Sequence, residues 1–147
     1  MKRALLTILA LLPMVVAPAL GMSESREQDA FVGLWEGVDP GDGSLTQRAI
    51  TCDENGACLV LGSDSFFTLC GSARGLLRGE GTISEGELRV PDFTLTCAGD
   101  AENAISVDTT FTLDRANGTL LEKTVNPNIQ PITFHKVSKG GGARKAD

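Results

Sequence analysis

Four cysteines, one histidine and a few clustered carboxylates are the residues of this chain whose types and spacing could do chemistry. Cys52, Cys58, Cys70 and Cys97 are separated by five, eleven and twenty-six residues and contain no Cys-x-x-Cys pair. Those spacings fit neither a zinc ribbon nor a thioredoxin-type redox centre. An even set fits two structural disulfides, for which three connectivities exist. Cys52 and Cys58 flank Asp53-Glu54-Asn55-Gly56-Ala57. Asn-Gly is a strong hairpin signal, so the two cysteines should face each other on adjacent strands, leaving Cys70 with Cys97. Chain-entropy arguments assign about 2.4 kcal/mol to the short loop and about 3.6 kcal/mol to the long one.

His135 is the sole histidine. It shares strand parity with Thr133 and Val137, opposite Ile132 and Phe134, so it faces solvent if the latter two face the core. Asp39, Asp42 and Ser44 suggest calcium. Counted from Asp39, however, the third and fifth positions are Gly41 and Gly43, which break the EF-hand pattern. Asp-Pro-Gly and Asp-Gly are ordinary turn chemistry. Glu80, Glu85 and Glu87 read as solvated carboxylates at a hairpin. The chain contains no Gly-x-Ser-x-Gly elbow, no phosphate-cradling loop and no dinucleotide fingerprint. These readings point away from an enzyme and from a bound metal or cofactor.

The elements that would position these residues are short. Met1–Gly21 reads as a signal peptide: Lys2 and Arg3, then a mostly apolar Ala4–Val16, then small residues up to Gly21. The apolar core is too short for a spanning helix and is interrupted by Pro13 and Pro18. This predicts a periplasmic or extracellular protein, an oxidising setting that suits the disulfides. Cleavage after Gly21 removes two of the 13 basic residues and leaves 11 against 19 acidic ones, a net charge of −8. Such a chain is repelled by nucleic acid and anionic lipid. No cysteine lies near the cleavage site, which argues against a lipid anchor.

Residues 22–30 read as a flexible leader, 31–138 as the folded domain and 139–147 as a flexible tail. Runs predicted as strands are Phe31–Val38, Ser44–Cys52, Cys58–Leu61, Gly75–Ser84, Glu87–Cys97, Ile105–Leu113, Thr119–Val125 and Ile132–Val137. Ser63–Ala73 is ambiguous between a strand and a helical turn. Leu88 and Val90 share one parity, Phe93, Leu95 and Cys97 the other, with the slip at Pro91-Asp92. A bulge there would bring all five inside. Turns about every ten residues and no long helix predict an all-β fold, an antiparallel up-and-down barrel, with a β-sandwich as the alternative.

Gly33-Leu34-Trp35-Glu36-Gly37 resembles the Gly-x-Trp start of lipocalins and related calycin barrels. The resemblance implies a tryptophan that closes one barrel end and an interior that holds a small apolar ligand. Phe31, Trp35, Phe93 and Phe111 are the candidate lining residues. The whole mature stretch, with Trp35-Glu36-Gly37-Val38-Asp39-Pro40-Gly41-Asp42-Gly43-Ser44 near its start, also resembles a group of small secreted bacterial proteins of unassigned function. Nitrobindins, haem-binding calycin-like barrels, share a Gly-x-Trp-x-Gly opening, and that resemblance implies a late histidine, His135 here, as haem ligand. The competing class is a cell-envelope interaction or structural module with a filled core. The two are separated by whether the interior is lined and open or packed across.

Overall fold

The computed structural model describes residues 27–137; the signal-peptide segment 1–21 and the tail 139–147 lie outside the described residues. Eight strands follow one another: β1 (Gly33–Val38), β2 (Leu45–Cys52), β3 (Ala57–Asp64), β4 (Gly75–Ser84), β5 (Glu87–Cys97), β6 (Asp100–Asp114), β7 (Thr119–Thr124) and β8 (Ile132–Lys136). Each pairs antiparallel with the next, and β1 pairs with β8 through Trp35↔Lys136, Glu36↔His135 and Gly37↔Phe134. The sheet is therefore a closed up-and-down barrel rather than a sandwich. Closure removes every strand edge. Gly37 permits the last pairing, because a Cβ there would stand 2.6 Å from the Thr133 carbonyl oxygen of β8.

The interior follows strand parity. Ile50, Cys58, Val60, Leu88, Val90, Phe111, Leu120 and Phe134 are buried and pack into one apolar cluster with Phe31, Trp35 and Phe93. The parity slip in β5 is a bulge: Val90 pairs with Thr109 and Phe93 with Val107, so two residues of β5 oppose one of β6. Asp92 takes a φ of 55° there, and Leu88, Val90, Phe93 and Leu95 all face inward. Opposite the bulge, Gly79 has no Cβ because Val90 and Phe93 occupy that space.

Three elements differ from the sequence expectation. Residues 27–31 are helical, so residues 27–30 are not a loose leader, and β1 begins at Gly33 instead of Phe31. The physical reason is the hydrogen bond that the Trp35 indole N–H donates to the Phe31 carbonyl oxygen at 2.8 Å, which holds the helical turn over the barrel. Residues 22–26 lie outside the described residues. β3 runs three residues beyond Leu61 to Asp64, and β6 starts at Asp100, five residues before Ile105. Gly62 does not end β3; it pairs with Arg48, whose Nη1 and Cδ fill the space where a Cβ would be. In the ambiguous stretch, Thr68–Cys70 is a single 3₁₀ turn.

The two barrel ends are unlike. Hairpins β2–β3, β4–β5 and β6–β7 lie at the end covered by residues 27–31, where Glu27 pairs with Arg115 at 3.9 Å. Lys136 donates to the Ala30 carbonyl at 3.4 Å and lies 5.1 Å from the centre of the Trp35 ring. The connections β1–β2, β3–β4, β5–β6 and β7–β8 surround the opposite end, where the 3₁₀ turn Thr68–Cys70 lies but no α-helix covers the barrel among the described residues. Both disulfides pair as the hairpin argument expects, Cys52 with Cys58 and Cys70 with Cys97. The first lies on the covered side; the second ties the β3–β4 loop to the end of β5.

Candidate functional site

At the uncovered end the barrel holds a cavity of about 470 Å³. Its apolar walls include Leu77, Phe93, Leu95 and Val107 from the strands and Phe67 and Ile129 from the loops. Asp39, Asp42, Asn126 and Gln130 stand at the mouth. That volume falls within the range of about 300–1,000 Å³ usual for small-molecule sites, and a mostly apolar lining with a few polar groups is their usual chemistry. Ile105 lines the same space and remains 45% exposed because this end is open.

The inner limit of the cavity is an ion cluster built on Arg48, which is 1% exposed. β2 places Thr46, Arg48 and Ile50 on one face, all buried. The Arg48 Nε donates to Glu122 Oε2 at 2.8 Å, and Nη2 donates to Oε1 at 3.3 Å. Nη1 donates to Asp64 Oδ1 at 3.1 Å, Thr46 Oγ1 at 2.7 Å and the Gln47 carbonyl at 2.8 Å. Thr46 in turn donates to Asp64 Oδ1. The guanidinium also lies 5.7 Å from the Phe93 ring centre and 5.3 Å from that of Phe134. Burial by itself would lower the Arg48 pKa. The Coulombic attraction and hydrogen bonds of Glu122, and then of Asp64, raise it above its usual value instead.

This cluster divides the interior. Beyond it Phe31, Trp35, Ile50, Leu88, Phe111 and Leu120 fill the covered half by packing on one another, with Phe93 and Phe111 edge to face at 5.9 Å. On the other side lies the cavity. Of the four candidate lining residues, only Phe93 borders it; Phe31, Trp35 and Phe111 are 0–2% exposed members of the packed half. Those three therefore build the core, because the helical turn 27–31 and the Trp35 indole close that end. His135 pairs with Glu36 and Thr119 on the outer face and is exposed, away from the cavity.

The residues that sequence reasoning missed are Arg48, Asp64, Glu122 and Thr109. Their signal was strand parity: Arg48 shares its face with Ile50, Asp64 with Val60, Glu122 with Leu120 and Thr109 with Phe111. Charged residues at inward positions point either to a wrong register or to a polar site inside the barrel. At the mouth, Asp39 Oδ1 accepts the Gly41 N–H at 2.7 Å and Asp42 Oδ1 the Ser44 N–H at 2.9 Å, so both carboxylates make turns. Burial, reinforced by Asp42 and Asp64, raises the Asp39 pKa despite its bond to Gly41. No group of three or more potential metal ligands is assembled among the described residues. No protein-family model, curated protein or solved structure matches this chain.

Proposed function

We propose that the protein is a secreted, non-enzymatic, lipocalin-like barrel that binds a small, mainly apolar molecule in the cavity at its uncovered end. The observation that carries this reading is the division of the interior at Arg48. One half is packed, whereas the other is a lined cavity reached through loops. A module whose only task is to present its outer surface has no need of a concave, mostly apolar interior site. The two disulfides fit an oxidising periplasmic or extracellular environment. The outward position of His135 weighs against haem as the ligand, since a haem in the cavity would be out of its reach.

Native mass spectrometry of the mature protein, purified from an oxidising compartment, tests the proposal. The expected result is a folded chain carrying a small molecule that is released on unfolding, or that takes one up when incubated with medium-chain lipids. A bare chain that takes up nothing from such a panel would favour the surface-interaction module. A Soret band would reinstate His135.

A further inference from the structure

The polar groups facing the cavity are unbalanced in charge. Among the described residues, Arg48 is the only basic one lining it, against Asp39, Asp42, Asp64 and Glu122. At its inner limit one guanidinium meets two carboxylates, leaving a buried cluster with one negative charge in excess. Glu122 spends both oxygens on Arg48. Asp64 does not. It is 2% exposed, and its Oδ1 takes the hydrogen bonds from both Thr46 and Arg48. No described residue donates to its Oδ2, although Asp64 borders the cavity. A carboxylate oxygen that takes no donor from the described residues, beside a mostly apolar space, is a strong acceptor for a donor on a bound molecule.

Resting on the ligand-binding reading above, we infer that the cavity selects apolar molecules bearing a cationic, hydrogen-bond-donating head, such as an alkylammonium, with the head against Asp64 Oδ2. The class excluded is the fatty acid. A carboxylate head would meet Asp64 and Glu122 at the inner limit and Asp39 and Asp42 at the mouth, while Arg48 is already engaged on Nε, Nη1 and Nη2. The apolar walls accept the chain of either molecule, so the discrimination rests on the head alone.

Calorimetric titration of the mature protein with decylamine, decanol and decanoate at pH 7 separates the possibilities, since the three share a chain and differ in head charge. Decylammonium is expected to bind at least about tenfold more tightly than decanol, as a charge-assisted hydrogen bond implies, with decanoate weakest. Asp64→Asn should remove the advantage of the amine over the alcohol. Asp39→Asn with Asp42→Asn, which leaves the Arg48 cluster intact, should reduce it. Val107→Trp, which fills the cavity, should abolish amine uptake and thereby exclude binding to the acidic outer surface. Decanol binding as tightly as decylammonium, or decanoate binding tightest, would overturn the inference while leaving the apolar site standing. Failure of all three ligands would overturn both readings. A folded Asp64→Asn protein that keeps the full amine preference would also overturn it.

Discussion

Arg48 is the side chain on which the interior depends. Its partners Asp64 and Glu122 are nearly as buried as it is, so removing the guanidinium strands two carboxylates away from water. Arg48→Met is expected to cost about 3–5 kcal/mol in urea unfolding. Adding Asp64→Asn and Glu122→Gln should recover much of that loss, because the penalty comes from unpaired charge rather than lost volume. Asp39 responds to pH in the opposite sense from a stabilising carboxylate. Its raised folded pKa means that the folded state binds the proton more tightly, so stability falls as pH rises from the usual value of 3.8 through the raised one. Asp39→Asn can keep the acceptor for Gly41, and it should raise the melting temperature at pH 7 but change little below about pH 3. The inward parity of Arg48 was readable beside Ile50. What could not be read was that Asp64 and Glu122, sixteen and seventy-four residues away, converge on it, since strand parity gives a direction but no partner.

The strands of this barrel were legible because alternation and turn residues mark them strongly. Gly75–Ser84 and Glu87–Cys97 lie where the pattern places them, and the Pro91-Asp92 slip is the bulge. The run Cys58–Leu61 stopped short of Asp64, because Gly62 offers no side chain to continue the alternation and its missing Cβ instead makes room for Arg48. The helical turn 27–31 escaped because its support is tertiary: the indole hydrogen bond, the packing of Phe31, the Lys136 bond to Ala30 and the Glu27–Arg115 pair. Trp35→Phe retains most of the apolar burial and removes that bond. It should cost about 1 kcal/mol and speed amide exchange at Val32, whose N–H donates to Gln28 within the turn. The two disulfides should differ in worth. Replacing Cys70 and Cys97 by serine should destabilise by up to about 3.6 kcal/mol, against about 2.4 kcal/mol for Cys52 and Cys58. Only the Cys70–Cys97 bridge anchors the loop carrying Phe67, Thr68 and Leu69 over the cavity, so only its loss should also weaken ligand uptake.

A small barrel faces a choice between filling its interior for stability and leaving space for a ligand. This one does each in a separate half, with Phe31, Trp35 and Phe111 packed at the covered end and a mostly aliphatic wall, joined by Phe67 and Phe93, around the cavity at the other. The barrel architecture could be read from the number and spacing of the runs. The cavity could not, since it depends on which interior layer lacks bulky side chains and on loops with no periodicity. Phe31, Trp35 and Phe111 were reasonable candidates as large apolar residues, but size is also what makes them pack. Titration with the neutral apolar fluorophore N-phenylnaphthylamine, on the parent protein and on Val107→Trp, addresses the division of the interior directly. Saturable binding of one probe per chain, lost when Trp fills the cavity of a still-folded protein, is the result expected. No binding by the parent, or binding that survives the substitution, would contradict a ligand site inside the barrel.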